Sequence, residues 1–185
     1  MTSWKIDTTH ATIHFVVRHM LVGRVRGRFN RWRGELCFDD ASPLQGTASA
    51  HVDADSVDTN DRQRDAHLRS ADFLDVARFP AIAFRSTRVG AAGDHRFVLA
   101  GELTLRGVTR EVALDVEYHG RMCDPDGHER LGFTAHTTIN RRAFGVTFNQ
   151  VLDAGGLALG DKVEIEIEVE AVSHRGAPAP QRVVE

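Results

Sequence analysis

Residues 163–170 read Val-Glu-Ile-Glu-Ile-Glu-Val-Glu. Only an extended strand gathers Val163, Ile165, Ile167 and Val169 on one face and Glu164, Glu166, Glu168 and Glu170 on the other. A helix would scatter both sets around its axis. A strand with one fully charged face belongs to a sheet that is wet on one side and packed on the other, which is the habit of antiparallel sheets. The same two-residue period recurs along the chain. Ile13, Phe15 and Val17 alternate with His14, Val16 and Arg18, and His19 falls in phase with Phe15 and Val17. Gly23 and Gly27 interrupt the pattern. Residues 28–38 resume it with Leu36 and Phe38, and residues 46–55 continue it through Ala48, Ala50, Val52 and Ala54. Ile82 and Phe84 come next, then Phe97, Leu99, Gly101, Leu103 and Leu105, answered by Val112, Leu114, Val116 and Tyr118. Leu131, Phe133, Ala135, Thr137 and Ile139 form a further strand. Turn signals separate these runs at Asp39–Pro43, Gly90–Asp94, Arg106-Gly107 and Asp124–Gly127.

The pattern amounts to eight strands suited to antiparallel pairing. Two architectures accommodate them: a sandwich with a filled core, or a closed barrel with room for one elongated small ligand. Several strands exceed the usual length, which favours an all-β, eight-stranded antiparallel lipocalin-like barrel with one inserted short helix. A chain of 185 residues suits one domain, here residues 1–173, with residues 174–185 read as a loose tail containing Gly176, Pro178 and Pro180. A net charge of −3 offers no basic field for nucleic acid. The chain holds no run of about 18 apolar residues, so no membrane span is expected. Met1–Trp4 shows no secretory pattern, which makes a cytoplasmic location the expectation. Cys37 and Cys123 are too few for a disulfide scaffold, and the sequence leaves open whether they pair.

The inserted helix falls in residues 59–75, the one long segment without strand alternation. Asn60 is a candidate cap, with Gln63 completing a capping box. Arg64, Asp65, His67 and Arg69 crowd within six residues, followed by Phe73, Leu74, Val76, Phe79 and Pro80. Such a segment is either a lid tied onto a β structure or a solvated crossover.

Six pieces stand in order along the chain. They are Trp4-x-Ile6-Asp7; Phe15-x-x-x-His19 with Gly27-x-Phe29; Thr59 with Arg64-Asp65-x-His67-Leu68-Arg69-Ser70-x-Asp72-Phe73; Phe79-Pro80-x-Ile82-x-Phe84-x-Ser86-Thr87; Gly101-x-Leu103-Thr104-x-x-Gly107-Val108-Thr109; and Ile139-Asn140-Arg141-x-x-Phe144-Gly145. Together they resemble the YceI-like family, bacterial lipocalin-like proteins that bind polyisoprenoid lipids, over roughly residues 4–172. The resemblance implies a long antiparallel barrel whose pore takes a lipid tail, a non-catalytic carrier or store with no cofactor beyond the bound isoprenoid or other long-chain lipid, and a possible homodimer. Relatives have been associated with polyprenyl diphosphates, quinone-like lipids and fatty amides.

On this reading the pore is lined by Phe15, Val17, His19, Phe29, Phe84, Leu99, Leu103, Phe133 and Phe144, and the mouth by Arg64, Asp65, His67, Asn140 and Arg141. The alternatives stay open residue by residue. Arg64 and Asp65 either pin the helix to strand ends or clasp a head group. His19 is either a hydrogen-bonded core histidine or a ligand contact. Phe144 either plugs one end of the core or touches the ligand. Arg141 and Arg142 form either an anion site or a solvated loop. His10 and His14 share a strand face, but no Cys or carboxylate completes a metal set in sequence. No nucleophile elbow, phosphate loop or paired acids appear. An enzyme acting on the lipid, with His19 or the Asp65–His67 pair as acid or base, is the alternative from another class. A barrel module with a filled core is the third.

Overall fold

The computed structural model describes residues 1–20, 23–150 and 158–173; the tail expected at 174–185 lies outside them. One sheet joins eleven segments: β1 (Thr2–Ile6), β2 (Thr12–His19), β3 (Gly23–Phe29), β4 (Trp32–Phe38), β5 (Thr47–Asp53), β6 (Val57–Asp58), β7 (Ala81–Gly93), β8 (Arg96–Leu105), β9 (Val108–Cys123), β10 (Glu129–Asn140) and β11 (Leu159–Ser173). A helix, α1 (Arg62–Arg69), stands between β6 and β7.

The eleven segments make eight barrel strands, because three pairs run end to end. β1 and β2 both lie antiparallel to β11, with Ile6 opposite Ala171 and Thr12 opposite Glu168. β4 and β3 then follow β1 and β2, and β5 and β6 follow β4 and β3. Each of these strands bends at the same level, at residues 7–11, 30–31 and 54–56. Backbone bonds carry the pairing across the bend: Asp7 N–H donates to Glu170 O, Asn30 N–H to Ser56 O, and Asp53 N–H to Arg31 O. Beyond β5 the order is β7, β8, β9, β10 and β11, every neighbour antiparallel. The seam from β11 back to β1 and β2 closes the ring. The fold is therefore the closed eight-stranded barrel with one helix, and the sandwich is excluded.

Local readings change in four places. β1 is too short for its alternation to stand out in sequence. The run 28–38 is two segments, and β3 starts at Gly23, so the glycines that seemed to break a strand lie within one. Gly27 is there for space: it faces Phe15 across the sheet, and a Cβ on it would sit 2.3 Å from the Phe15 ring and 2.8 Å from Thr59. The presumed loop at Gly90–Asp94 is strand as far as Gly93. The helix cap is Asp61, whose carboxylate accepts from the amides of Gln63 and Arg64, while Asn60 adopts a left-handed backbone at φ +59° and donates to Asp58.

One end of the barrel is filled. Trp4, Phe38, Tyr118, Leu131 and Ala171 are buried together, with Phe133 stacked on Tyr118 at 4.9 Å and edge-on to Phe38 at 5.2 Å. The two polar handles of this plug are satisfied: the Trp4 indole donates to Phe38 O at 3.2 Å, and the Tyr118 hydroxyl to Asp40 at 2.7 Å. Burial and the Asp40 carboxylate push the Tyr118 phenol up to about 12. Outside the plug, Arg130 bridges Asp124 at 2.9 Å and Asp7 at 3.0 Å.

Two expectations follow. Gly27→Ala should lower stability by about 1–3 kcal/mol through overpacking against Phe15, read as a fall in denaturant midpoint with the fold retained by circular dichroism. The second concerns acid. Hydrogen bonds from His10 and then Arg130 hold the Asp7 carboxyl well below the usual carboxylate range, and amide and Arg130 bonds lower Asp124 as well. Carboxyls depressed on folding stabilise the protein above about pH 3.9, and that contribution is lost as pH falls toward their folded values. The denaturant midpoint should therefore drop steeply below pH 4, and Arg130→Gln should make that drop shallower while lowering the midpoint at pH 7.

Candidate functional site: an apolar cavity at the open half of the barrel

Beyond the plug the barrel is hollow. The cavity measures about 460 Å³, within the range of small-molecule sites. Its wall is the inward parity of the strands: Phe15 and Val17 on β2, Phe29 on β3, Ala50 and Val52 on β5, Ile82 and Phe84 on β7, Leu103 and Leu105 on β8, Leu114 on β9, Ile139 on β10, and Val163, Ile165 and Ile167 on β11. Two glycines admit the aromatic rings of this wall, Gly27 beside Phe15 and Gly101, where a Cβ would lie 2.5 Å from the Phe84 ring.

Irregular backbone completes the far end. Arg64, His67 and Leu68 of α1 reach the cavity, with Phe73 and Leu74 from the turn after it and Val146, Phe148 and Gln150 from the segment after β10. His67 meets Phe73 and Phe148 edge-on, each at 4.9 Å, and bonds Asp72 at 2.8 Å. Chain outside a sheet has carbonyls without ladder partners, and arginines supply the donors. Arg64 bonds Thr59 through its carbonyl at 2.9 Å and its hydroxyl at 2.8 Å. Arg69 donates to the carbonyls of Asp55 and Val57, Arg106 to those of Ala71 and Gly145, and Arg110 to that of Ala143. Arg141 is the most buried, its side chain 5% exposed. It donates to the carbonyls of Val146, Phe148 and Gly160 at 2.8–2.9 Å and reaches Asp161 at 3.4 Å. Burial pulls its guanidinium below the usual arginine value, against the opposing Asp161.

Of the residues expected at the pore or mouth, Phe15, Val17, His19, Phe29, Phe84, Leu103, Arg64, His67 and Arg141 line the cavity. Five do not. Phe133 is spent in the plug. Leu99 has the inward parity, but lies between Phe97, which packs on the plug, and Gly101. Phe144 packs behind Leu105 and Ile139. Asp65 is buried and accepts from the amide and hydroxyl of Thr59, at 2.9 and 2.6 Å, fixing the start of the helix. Asn140 is exposed and caps the turn Arg141–Phe144 through the Arg142 amide. The expected pore left out Leu105, Ile139 and Ile165, although Leu105 shares the parity of Leu103, Ile139 that of Phe133, and Ile165 lies on the apolar face of β11. Phe73 and Phe148 carry no periodic signal.

The polar inventory of the cavity is small and one-sided. Among the described residues His14, His19, Arg64, His67, Thr137, Arg141 and Gln150 border the cavity, and no Asp, Glu, Ser or Cys does. Both guanidiniums are engaged with backbone, whereas His14 and His19 have no hydrogen-bond partner among the described residues. His10 and His14 do not act together, since His10 bonds Asp7 at 2.9 Å and His14 borders the cavity.

These features define a lipocalin-like barrel, stoppered at one end and hollow at the other. The chain belongs to the YceI-like family: the YceI-like domain matches residues 4–171. A UPF0312 protein of Vibrio cholerae is 36% identical over 169 residues, covering 90% of this chain and 85% of the relative. Among solved structures, BcnA of Burkholderia cenocepacia superposes with a TM-score of 0.79 at 24% identity, covering 89% of this chain and 98% of that one. A polyisoprenoid binding domain from Saccharophagus degradans superposes with a TM-score of 0.67 at 15% identity, covering 94% of this chain and 99% of that one.

Arg141→Met should lower unfolding free energy by about 3–5 kcal/mol, because it strands three carbonyls and removes a buried charge from its partner. Chemical denaturation checks this; a loss below about 1 kcal/mol would mean the Val146–Phe148 segment is held by something else.

Proposed function

We propose that this protein binds a long-chain isoprenoid or a similar amphiphilic lipid in its barrel cavity and carries or stores it without chemical change. The observation that supports this most directly is the cavity itself: a stoppered, almost wholly apolar space whose charged lining residues, Arg64 and Arg141, come from the α1 and post-β10 segments at the hollow end. Each methylene buried there adds about 0.8 kcal/mol, so a tail binds without specific polar contacts. The resemblance in fold to a polyisoprenoid binding domain supports the same ligand class. Among the described residues the lining holds no carboxylate, serine or cysteine, the usual nucleophiles and paired acids, and this supports binding over catalysis.

The test is native mass spectrometry of the protein isolated from its own host, followed by rebinding of a radiolabelled prenol to stripped protein. An adduct of lipid mass and saturable rebinding are expected. Ala50→Phe, which places a ring in the cavity, and Leu103→Arg, which places a charge there, should each lower rebinding at least tenfold with the fold intact. Folded variants that bind as well as the parent would refute the cavity assignment, and turnover of the bound lipid would refute the carrier reading.

A further inference from the structure

The outer surface of the hollow end carries a charge pattern that folding does not require. β3 turns Val25, Gly27 and Phe29 inward and Arg24, Arg26 and Arg28 outward. On β2 beside it, Arg18 stands in register with Arg24, and Arg26 is opposite Val16. Arg28 is neutralised by Asp58 at 3.0 Å. Arg18, Arg24 and Arg26 are exposed and have no ion pair or hydrogen bond among the described residues, unlike Arg64, Arg69, Arg106, Arg110 and Arg141 at the same end. Of the β11 glutamates, Glu164 is the nearest, opposite Val16, and the others run toward the plug.

At the end of β2 the chain presents Met20. The residue is 55% exposed. Its backbone is left-handed, at φ +55°, a conformation in which Gly or Asn is more usual, and its amide is pinned to Ala158 O at 2.7 Å. An apolar side chain held outward there adds nothing to the core. His19, the residue before it, lines the cavity, so Met20 stands at the hollow end.

We propose that Arg18, Arg24, Arg26 and Met20 form a docking rim that seats the hollow end of the barrel on an anionic lipid bilayer. The guanidiniums meet headgroup phosphates and Met20 enters the interface. The net charge of −3 does not oppose this, because charges farther away than the screening length of about 8 Å contribute little. The combination of a basic cluster with an apolar tip fits a charged interface with an apolar layer beneath it, where each added cation strengthens binding. The proposal takes its purpose from the lipid-carrier reading, but its test does not depend on it.

Purified protein is sedimented with vesicles of phosphatidylcholine alone and of phosphatidylcholine with one third phosphatidylglycerol. Binding is expected only to the anionic vesicles, and is lost at about 1 M salt, where screening falls to about 3 Å. Replacing Arg18, Arg24 and Arg26 together by Gln should weaken it on the order of a hundredfold, and Met20→Ser about tenfold. The exposed Arg33, Arg85 and Arg88, replaced together by Gln, provide a charge-matched control that should bind as the parent does. If the rim variant fails to fold, Arg24→Gln alone and the salt titration of the parent decide. Equal binding to neutral vesicles, no binding to either, retention by the rim variant or loss by the control would each overturn the proposal. So would binding to soluble heparin in place of vesicles. Sedimentation reads docking alone and the prenol rebinding assay reads loading alone, so protein that docks without loading refutes the carrier reading alone, and protein that loads without docking refutes the rim alone.

Discussion

The structure depends on the register of β11. Along one edge this strand pairs with β10, along the other with β2 and then β1, and so it is where the sheet becomes a ring. Closure removes both exposed edges of the sheet and gives the outer strands backbone partners. It also assigns every residue of the chain a side. A slip of one position along β11 would turn Glu164, Glu166 and Glu168 into the space now lined by Val163, Ile165 and Ile167. The cost of burying carboxylates there makes the register unambiguous.

The two ends of the ring are finished by different physics. One is filled with large rings, and the polar atoms of Trp4 and Tyr118 find partners at its edge. The other is completed by a helix and turns, whose carbonyls lack ladder partners. Arginine suits that task, because a planar fork of donors bonds several carbonyls at once and remains charged. This is why so many cations of the α1 and Arg141 segments face protein and not solvent. Arg64 and Arg141 border the cavity, yet their donors are already directed at backbone. His19 keeps free nitrogens among the described residues, so polar recognition of a head group would fall to its imidazole sooner than to the guanidiniums.

The cavity exists because the inward residues are limited in size at matching places. Ala50 leaves space, and Gly27 and Gly101 let the Phe15 and Phe84 rings lie close against the wall. The result is an interior complementary to a flexible apolar chain more than to any one molecule, as expected of a binding site whose affinity comes from burial. The arginines proposed as a docking rim lie outside that same end.

The sequence by itself determined the class of fold and the facing of nearly every strand residue. The period of two is a local property, and each strand displays it without help from its neighbours. It therefore identified Phe15, Val17, Phe84 and Leu103 as interior, and the same rule extended to Leu105 or Ile165 would have found more of the wall. Only the tertiary structure decided how far along the barrel the interior is empty. Phe133 and Leu103 have the same parity, but one packs into Trp4, Phe38 and Tyr118 and the other faces open space. That difference depends on which side chains converge at one level from strands distant in sequence, and period carries no such information. The charged helix is the same case. Arg64, Asp65 and Arg141 look alike as polar residues of a mouth. Asp65 proves to bind Thr59 and Arg141 three carbonyls, because the unpaired backbone of a closed barrel's end exists only once the barrel has closed.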